Sequence, residues 1–167
     1  MSLRLILTRH AKSAWDNPFD TDHARPLNPR GRAAAPRIGR WLVTKDYLPD
    51  AALVSNAART RETWARLSAE FPAPVPAEFL PALYHASPDT MLRILRNAQA
   101  RTVMMIGHNP GIAGFAAELV AARPVHEGFA RYPTCATLVV DFAAPDWLEL
   151  QPGTGVVQDF IVPRELE

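Results

Sequence analysis

Residues 3–13 read LRLILTRHAKS, a short apolar run that passes directly into polar residues. The run over residues 3–8 includes a β-branched side chain and predicts a buried strand. Arg9 and His10 follow at the point where this strand ends. Because ligands of open α/β sheets bind beyond the carboxyl ends of the strands, the residues that follow each strand are the first candidates for a functional site.

Outward from this stretch, two more apolar runs predict buried strands over residues 51–55 and 102–107. Apolar spacing and start signals such as Ser87-Pro88 and Asn109-Pro110 predict helices over residues 30–45, 58–70, 89–97 and 110–122. Alternating strands and helices favour an α/β fold, here a three-layer α/β/α sandwich with a mainly parallel sheet.

The remaining segments predict loops and an edge of the sheet. Residues 16–29 are polar and contain prolines, which is typical of a long loop. Residues 71–79 carry three prolines and predict a linker or edge segment. Strands that add an antiparallel edge are predicted over residues 136–142, 147–151 and 156–162.

Composition limits the class of protein. A chain of 167 residues with 48% hydrophobic and 21% charged residues predicts one globular domain over residues 1–167. Cys135 is the single cysteine, which excludes an intramolecular disulfide and a cysteine zinc cluster. No apolar run is long enough for a membrane span, and the N-terminus does not resemble a signal peptide. We therefore expect a cytoplasmic protein without a membrane partner.

Charge is distributed unevenly along the chain. The net charge is only +1, which argues against a nucleic-acid partner. Residues 1–67 contain twelve of the 18 Lys and Arg residues but six of the 17 Asp and Glu residues. Solvated helix faces explain such runs in most proteins. The functional alternative is that some of these arginines converge on an anion.

Three predicted strand ends deliver two histidines and two arginines to one edge of the sheet. Arg9 and His10 follow the first strand, Arg59 the second and His108 the third. The guanidinium fork fits phosphate oxygens, and the N-terminus of the helix at Pro110 favours an anion. Positive neighbours oppose protonation of an imidazole, and a neutral imidazole can attack phosphorus. The pattern predicts a phosphate site with a histidine nucleophile.

Each residue alone has a less specific interpretation. A single histidine is commonly a hydrogen-bonded structural residue, and Arg59 alone could be a surface charge. Histidines also bind zinc, but the adjacent arginines would repel a cation. No metal site is therefore expected. The nucleophile-elbow, P-loop and zinc-protease motifs do not occur in the sequence.

Four segments together resemble the histidine phosphatase superfamily, whose fold is called phosphoglycerate-mutase-like, and within it the SixA-type phosphohistidine phosphatases. They are RHAKSAW (9–15), SNAARTRET (55–63), GHNPG (107–111) and FIVPREL (160–166). The sequence departs from the family pattern at Ala11, where the family has glycine, and at Asn56, where it has proline.

The resemblance implies roles for individual residues. His10 would be the nucleophile that takes the phosphoryl group as a phosphohistidine intermediate. Arg9, Arg59 and His108 would complete the catalytic set by holding the phosphoryl oxygens, and Arg25 would be a further phosphate or substrate contact. Water then hydrolyses the intermediate, so neither a metal nor another cofactor is needed.

The resemblance also bears on the proton donor and the substrate. Larger family members carry an acidic donor where this chain reads Leu83-Tyr84-His85, so His85 and Asp22 are the candidate donors, with Glu78 as a rival. Long capping insertions are also missing. An imidazole leaving group demands less acid assistance than an alkoxide, and an open pocket admits a protein side chain. We therefore expect a hydrolase acting on phosphohistidine in proteins.

Two other functions stay open. The same core would suit a small-molecule phosphomonoesterase, so the partner is a phosphorylated protein or a small phosphate ester. A non-catalytic module that binds phosphorylated ligands would use the same residues. A mutase is disfavoured because nothing in the sequence predicts a lid. The expected oligomeric state is a monomer or weak dimer.

Overall fold

A computed structural model of the chain describes residues 2–167, which form one six-stranded mixed sheet. The strands are β1 (Leu3–Arg9), β2 (Ala51–Ser55), β3 (Ala77–Leu80), β4 (Thr102–Gly107), β5 (Thr137–Phe142) and β6 (Val156–Ile161). Their order across the sheet is β3-β2-β4-β1-β5-β6. The first four are parallel, β5 is antiparallel to β1, and β6 is antiparallel to β5. The predicted mainly parallel sheet with an antiparallel edge is confirmed.

Helices cover both faces of the sheet. They are α1 (Pro29–Thr44), α2 (Ala58–Ser68), α3 (Pro88–Arg96) and α4 (Gly111–Leu119). Because side chains alternate along a strand, Leu5 and Leu7 of β1 pack with α3 and α4, whereas Ile6 packs with α1 and α2. Two buried cores result, one on each side. This is the three-layer α/β/α sandwich that the sequence predicts.

Side-chain caps set the starts of the helices. The Asn28 side chain accepts a hydrogen bond from the backbone of Gly31 at the start of α1, and Ser87 accepts one from Thr90 at the start of α3, as predicted for Ser87. Helix α4 ends at Leu119, three residues before its predicted end. It ends there because Val120 is extended and forms a β-bridge with Gly155.

The predicted strand over residues 147–151 is wrong. Trp147–Glu149 is a single 3₁₀ turn, and the side chain of Asp146 accepts a hydrogen bond from the backbone of Glu149. Trp147 is buried, and its indole nitrogen donates to the carbonyl of Ala100 at 2.6 Å. The proline-rich segment over residues 71–79 does run into an edge strand, because β3 pairs only with β2.

Strands β2, β4 and β1 are neighbours and parallel, so their carboxyl ends lie side by side. This arrangement places the residues after all three strands at one edge of the sheet. Among residues 2–167, no helix is both long and apolar enough to cross a membrane.

Candidate active site

The three strand ends meet in a pocket of about 260 Å³. The structure brings all the sequence-predicted site residues except Glu78 to this pocket, whose lining includes Arg9, His10, Asp22, Arg25, Arg59, His85 and His108. Arg9 ends β1, Arg59 lies in the first turn of α2, and His108 follows β4. The parallel order of β2, β4 and β1 therefore gathers residues that are distant in sequence.

Two backbone hydrogen bonds fix the segment that carries His10. The His10 amide donates to the carbonyl of Gly107 at 3.1 Å, and the Cys135 amide donates to the carbonyl of His10 at 3.0 Å. The His10 side chain is buried, and its Nδ1 lies 2.7 Å from the carbonyl oxygen of Ala11. Since a carbonyl only accepts, Nδ1 carries the proton and a neutral His10 has its lone pair on Nε2.

Burial is the main reason that the pKa of His10 falls to about 3, and the positive charges of Arg9, Arg59 and Arg25 lower this pKa further. The hydrogen bond to Ala11 opposes this shift. At neutral pH the imidazole is therefore uncharged, and its Nε2 is available as a nucleophile.

His108 lies beside His10, with 5.3 Å between the ring centroids. Burial, followed by the charges of His10 and Arg59, lowers the pKa of His108 to about 2. Its Nε2 lies 2.8 Å from the hydroxyl oxygen of Ser55, the last residue of β2. The hydroxyl of Ser55 thus sets the orientation of the His108 ring.

Arg9 and Arg59 lie in the same pocket as the two histidines, and each keeps a hydrogen-bond donor without an acceptor. Arg9 Nη1 donates to the carbonyl of Tyr132 at 3.2 Å, and Arg59 Nη1 donates to the carbonyl of Asp22 at 2.7 Å. Within residues 2–167, the Nε atoms of Arg9 and Arg59 and Nδ1 of His108 are buried without a hydrogen-bond partner. Buried polar nitrogens are rarely left unpaired, so an anion bound between these residues would supply the missing acceptors.

Asp22 is the centre of the polar network at the pocket rim. Its carboxylate accepts from Arg25 Nη2 at 3.0 Å and Arg59 Nη2 at 3.1 Å, and from the hydroxyl of Tyr84. The Tyr84 hydrogen bond and the two arginines hold the pKa of Asp22 well below its usual range. The carboxyl group is therefore ionised, which argues against Asp22 as a proton donor and makes it an anchor for the arginines.

Of the other candidate donors, His85 lies in the pocket. Its Nε2 is 3.2 Å from Asp22 Oδ2, and its ring stacks on His108 with centroids 5.7 Å apart. More than half of the His85 side chain is exposed, so it can exchange protons with solvent. Glu78 is exposed on the edge strand β3 and does not line the pocket.

Most Arg25 donors are already engaged. Besides Asp22, this buried residue bonds to the hydroxyl of Ser13 at 2.5 Å and to the carbonyl of Ala14 at 3.2 Å. Its guanidinium lies 3.5 Å from the ring centroid of Trp15, a pocket residue that is 76% exposed. Direct phosphate contact by Arg25 stays a prediction, while its charge already acts on His10.

Sequence reasoning missed the residues that support the site. Thr63 Oγ1 accepts from the Ala11 amide at 3.0 Å and donates to the Arg59 carbonyl at 2.7 Å, joining the segment that carries His10 to α2. Thr63 belongs to the SNAARTRET segment, which was the available signal. Ala11 itself is buried and does not adopt a left-handed conformation, so the backbone here does not require glycine.

The part of the chain that the structure describes contains no group of three or more His, Cys, Asp or Glu side chains arranged to hold a metal ion. The charged groups around His10 are the guanidiniums of Arg9, Arg59 and Arg25. This donor set suits a multiply charged anion.

Comparison with known proteins identifies a matching family and a related protein. The sequence profile of the histidine phosphatase superfamily (branch 1) matches residues 5–87, which include His10, Arg59 and His85 but not His108. An uncharacterized protein of Mycobacterium tuberculosis is 32% identical over 163 residues, covering 93% of this chain and 99% of that protein.

Two solved structures are provisionally assigned as the phosphohistidine phosphatase SixA. The one from Agrobacterium tumefaciens is 28% identical, covers 96% of this chain and 98% of its own, and has a TM-score of 0.78. The one from Nakamurella multipartitia is also 28% identical, covers 98% and 97%, and has a TM-score of 0.80.

Proposed function

This chain belongs to the SixA-type group of the histidine phosphatase superfamily, and from that premise we propose that it is a metal-independent phosphatase that hydrolyses phosphohistidine in proteins. The observation that carries the proposal is the tautomer of His10. Its Nδ1 proton is held by the carbonyl of Ala11 at 2.7 Å, which leaves the Nε2 lone pair as the nucleophile.

The reaction proceeds by two phosphoryl transfers. His10 Nε2 attacks phosphorus, a P–N bond forms to His10, and the bond from phosphorus to the leaving atom of the substrate breaks. Arg9, Arg59 and His108 hold the three phosphoryl oxygens and stabilise the charge on them. Water then attacks phosphorus, the bond to His10 breaks, and inorganic phosphate leaves with His10 regenerated.

The leaving group takes up a proton during the first transfer. His85 is the donor in this proposal, because Asp22 is held as a carboxylate and Glu78 lies away from the pocket. The His85 side chain is more than half exposed, and its Nε2 lies within hydrogen-bond distance of the Asp22 carboxylate. Such a donor suits an imidazole leaving group, which demands less acid assistance than an alkoxide.

The size of the pocket supports a substrate presented on a larger molecule. A volume of about 260 Å³ accommodates a phosphoryl group and an imidazole, but it is below the usual range for drug-sized ligands. The assignment of the two related structures from Agrobacterium and Nakamurella as phosphohistidine phosphatases supports the same substrate class. Single-domain organisation, a monomer or weak dimer, and a cytoplasmic location stay predictions.

The test is phosphate release at neutral pH in EDTA from a histidine-phosphorylated carrier protein and from p-nitrophenyl phosphate. We expect release from both, faster from the phosphoprotein, and a loss of at least about a thousandfold in His10→Ala. His126→Ala is the matched control on p-nitrophenyl phosphate, because His126 does not line the catalytic pocket. Rapid quenching should trap wild-type enzyme with an alkali-stable phosphoryl group, which His10→Ala lacks.

Other outcomes would redirect the assignment. Fast turnover of small esters without release from phosphoprotein would make the protein a small-molecule phosphomonoesterase. Binding of phosphoprotein that is equal in wild type and His10→Ala, without turnover in either, would make it a binding module. Release abolished by EDTA would contradict the metal-independent mechanism.

A further inference from the structure

A second and larger cavity, of about 560 Å³, lies beside the catalytic pocket and shares Lys12 and Thr134 with it. We call it the basic groove, after the five cationic residues in its lining: Lys12, Arg30, Arg37, Arg131 and Arg164. Helix α1 supplies two of them, and the segment that follows α4 and the C-terminal segment supply two more. The catalytic mechanism uses none of the five.

Most cations of the groove have no carboxylate partner, although several arginines elsewhere in the protein do. Elsewhere a carboxylate lies within 3.1 Å of six arginines, which are Arg4, Arg25, Arg32, Arg40, Arg59 and Arg66. In the groove, only Arg164 has one, Glu127 at 3.2 Å. Across residues 2–167, no carboxylate lies within ion-pair distance of Lys12, Arg30, Arg37 or Arg131. Four positive charges without an ion-pair partner therefore surround one cavity, whose lining also contains the carboxylates of Glu127 and Glu167.

The lining of the groove also contains apolar residues, which include Ala34, Pro133 and Val162. Protein–protein interfaces combine apolar contacts with charged and polar residues. The surface thus fits a partner that presents carboxylates together with apolar side chains.

We propose that the basic groove docks an acidic surface of the phosphoprotein substrate. This surface consists of carboxylates near the phosphohistidine that enters the catalytic pocket. This inference rests on the proposed function. Lys12 and Thr134 line both cavities, so a protein whose phosphohistidine reaches His10 also covers the groove. Opposite charges increase the rate of encounter and fix the orientation of docking, and salt screens both effects.

The test compares two double variants of equal charge change. Arg30→Glu with Arg37→Glu reverses two groove residues that lie seven positions apart on α1. Arg93→Glu with Arg123→Glu is the control, because both residues are exposed, have no carboxylate partner and line neither cavity. Each variant is assayed on a histidine-phosphorylated carrier protein with carboxylates near the phosphohistidine, and on phosphoimidazole. Phosphoimidazole has the same leaving group but no protein surface.

We expect the groove variant to lose at least about tenfold in kcat/KM on the phosphoprotein and less than about twofold on phosphoimidazole. The control variant should change less than about twofold on both substrates. Replacing the carrier's carboxylates by amides should lower wild-type kcat/KM but should not lower that of the groove variant. Raising NaCl from 50 to 300 mM should slow the wild type on the phosphoprotein more than the groove variant.

Three results would overturn the inference. Equal losses in the groove and control variants would show a general charge effect. Equal losses on phosphoprotein and phosphoimidazole would assign the groove to the small-substrate site. A dimer of the wild type that the groove variant abolishes would assign it to a second copy of the chain. Wild-type enzyme inactive on the phosphoprotein would instead refute the proposed function, and the docking proposal with it.

Discussion

The carboxylate of Asp22 lies 3.1 Å from Nη2 of Arg59, and Arg59 Nη1 donates to the backbone carbonyl of the same aspartate at 2.7 Å. Asp22 belongs to the long loop before α1, whereas Arg59 lies in the first turn of α2. The same carboxylate also pairs with Arg25. One aspartate thus fixes two guanidinium groups relative to His10, and its ionised state argues against a role as an acid.

Asp22→Asn should lower kcat/KM by about tenfold on both p-nitrophenyl phosphate and phenyl phosphate. The amide retains an acceptor but loses the charge that fixes Arg25 and Arg59, so the position of the arginines becomes less defined. Steady-state kinetics with the two esters is the measurement, and Asp16→Asn in the same exposed loop is the control. A loss confined to phenyl phosphate, the poorer leaving group, would restore Asp22 as the proton donor.

Unlike Asp22→Asn, His85→Ala should cause a loss of activity that depends on the leaving group. We expect a loss of about ten- to a hundredfold on phenyl phosphate, because protonation of a poor leaving group contributes in this range. The loss on p-nitrophenyl phosphate should stay below about threefold, because its nitrophenolate group leaves without a proton. A plot of kcat/KM against leaving-group pKa checks this, and equal losses along the series would exclude His85 as the donor.

Stability should fall as the pH drops below about 6.5. Burial lowers the pKa of His10 to about 3 and that of His108 to about 2. Between these values and 6.5 the unfolded state binds protons that the folded state does not, so the free energy of unfolding decreases with falling pH. Each histidine should contribute a loss of about 2 kcal/mol between pH 7.5 and pH 5.

Urea unfolding at pH 7.5 and pH 5.0 measures this effect above the range in which carboxylates titrate. His10→Asn should reduce the pH dependence by about half, since one of the two buried imidazoles is gone. Wild-type stability that is unchanged over this interval would show that the two imidazoles are not protected from protonation.

Gly31→Ala should destabilise the fold next to the active site. A Cβ atom at position 31 would lie 2.1 Å from the carbonyl oxygen of Lys12, two residues after His10. The backbone must move to relieve this clash, at a cost of about 2 kcal/mol. A fall of roughly 5 °C in Tm is expected for a chain of this size.

Gly107→Ala is the matched control, because its added Cβ would meet only the tip of Met91 at an ordinary 3.5 Å. Thermal unfolding should give a clearly smaller change than for Gly31→Ala. Similar values for the two variants would mean that the contact between α1 and Lys12 is easily relaxed.

Local sequence patterns were sufficient for most of the fold. Apolar runs and helical spacing predicted the central strands and the four helices, because burial on a strand or helix face requires a fixed period. The failure at residues 147–151 has an identifiable cause. The indole of Trp147 bonds to the carbonyl of Ala100, 47 residues away, and the Asp146 side chain caps the turn. No local pattern reports such a contact.

The sequence by itself determined which residues could form the site. Arg9, His10, Arg59 and His108 follow predicted strands, and parallel strands bring their carboxyl ends to one edge. Only the tertiary structure decided the protonation and partners of these residues. The tautomer of His10, the ionised state of Asp22 and the unpaired cations of the basic groove depend on distances between groups in the folded chain. Hydrogen bonds and ion pairs act over a few ångströms in space, and spacing along the chain does not encode those distances.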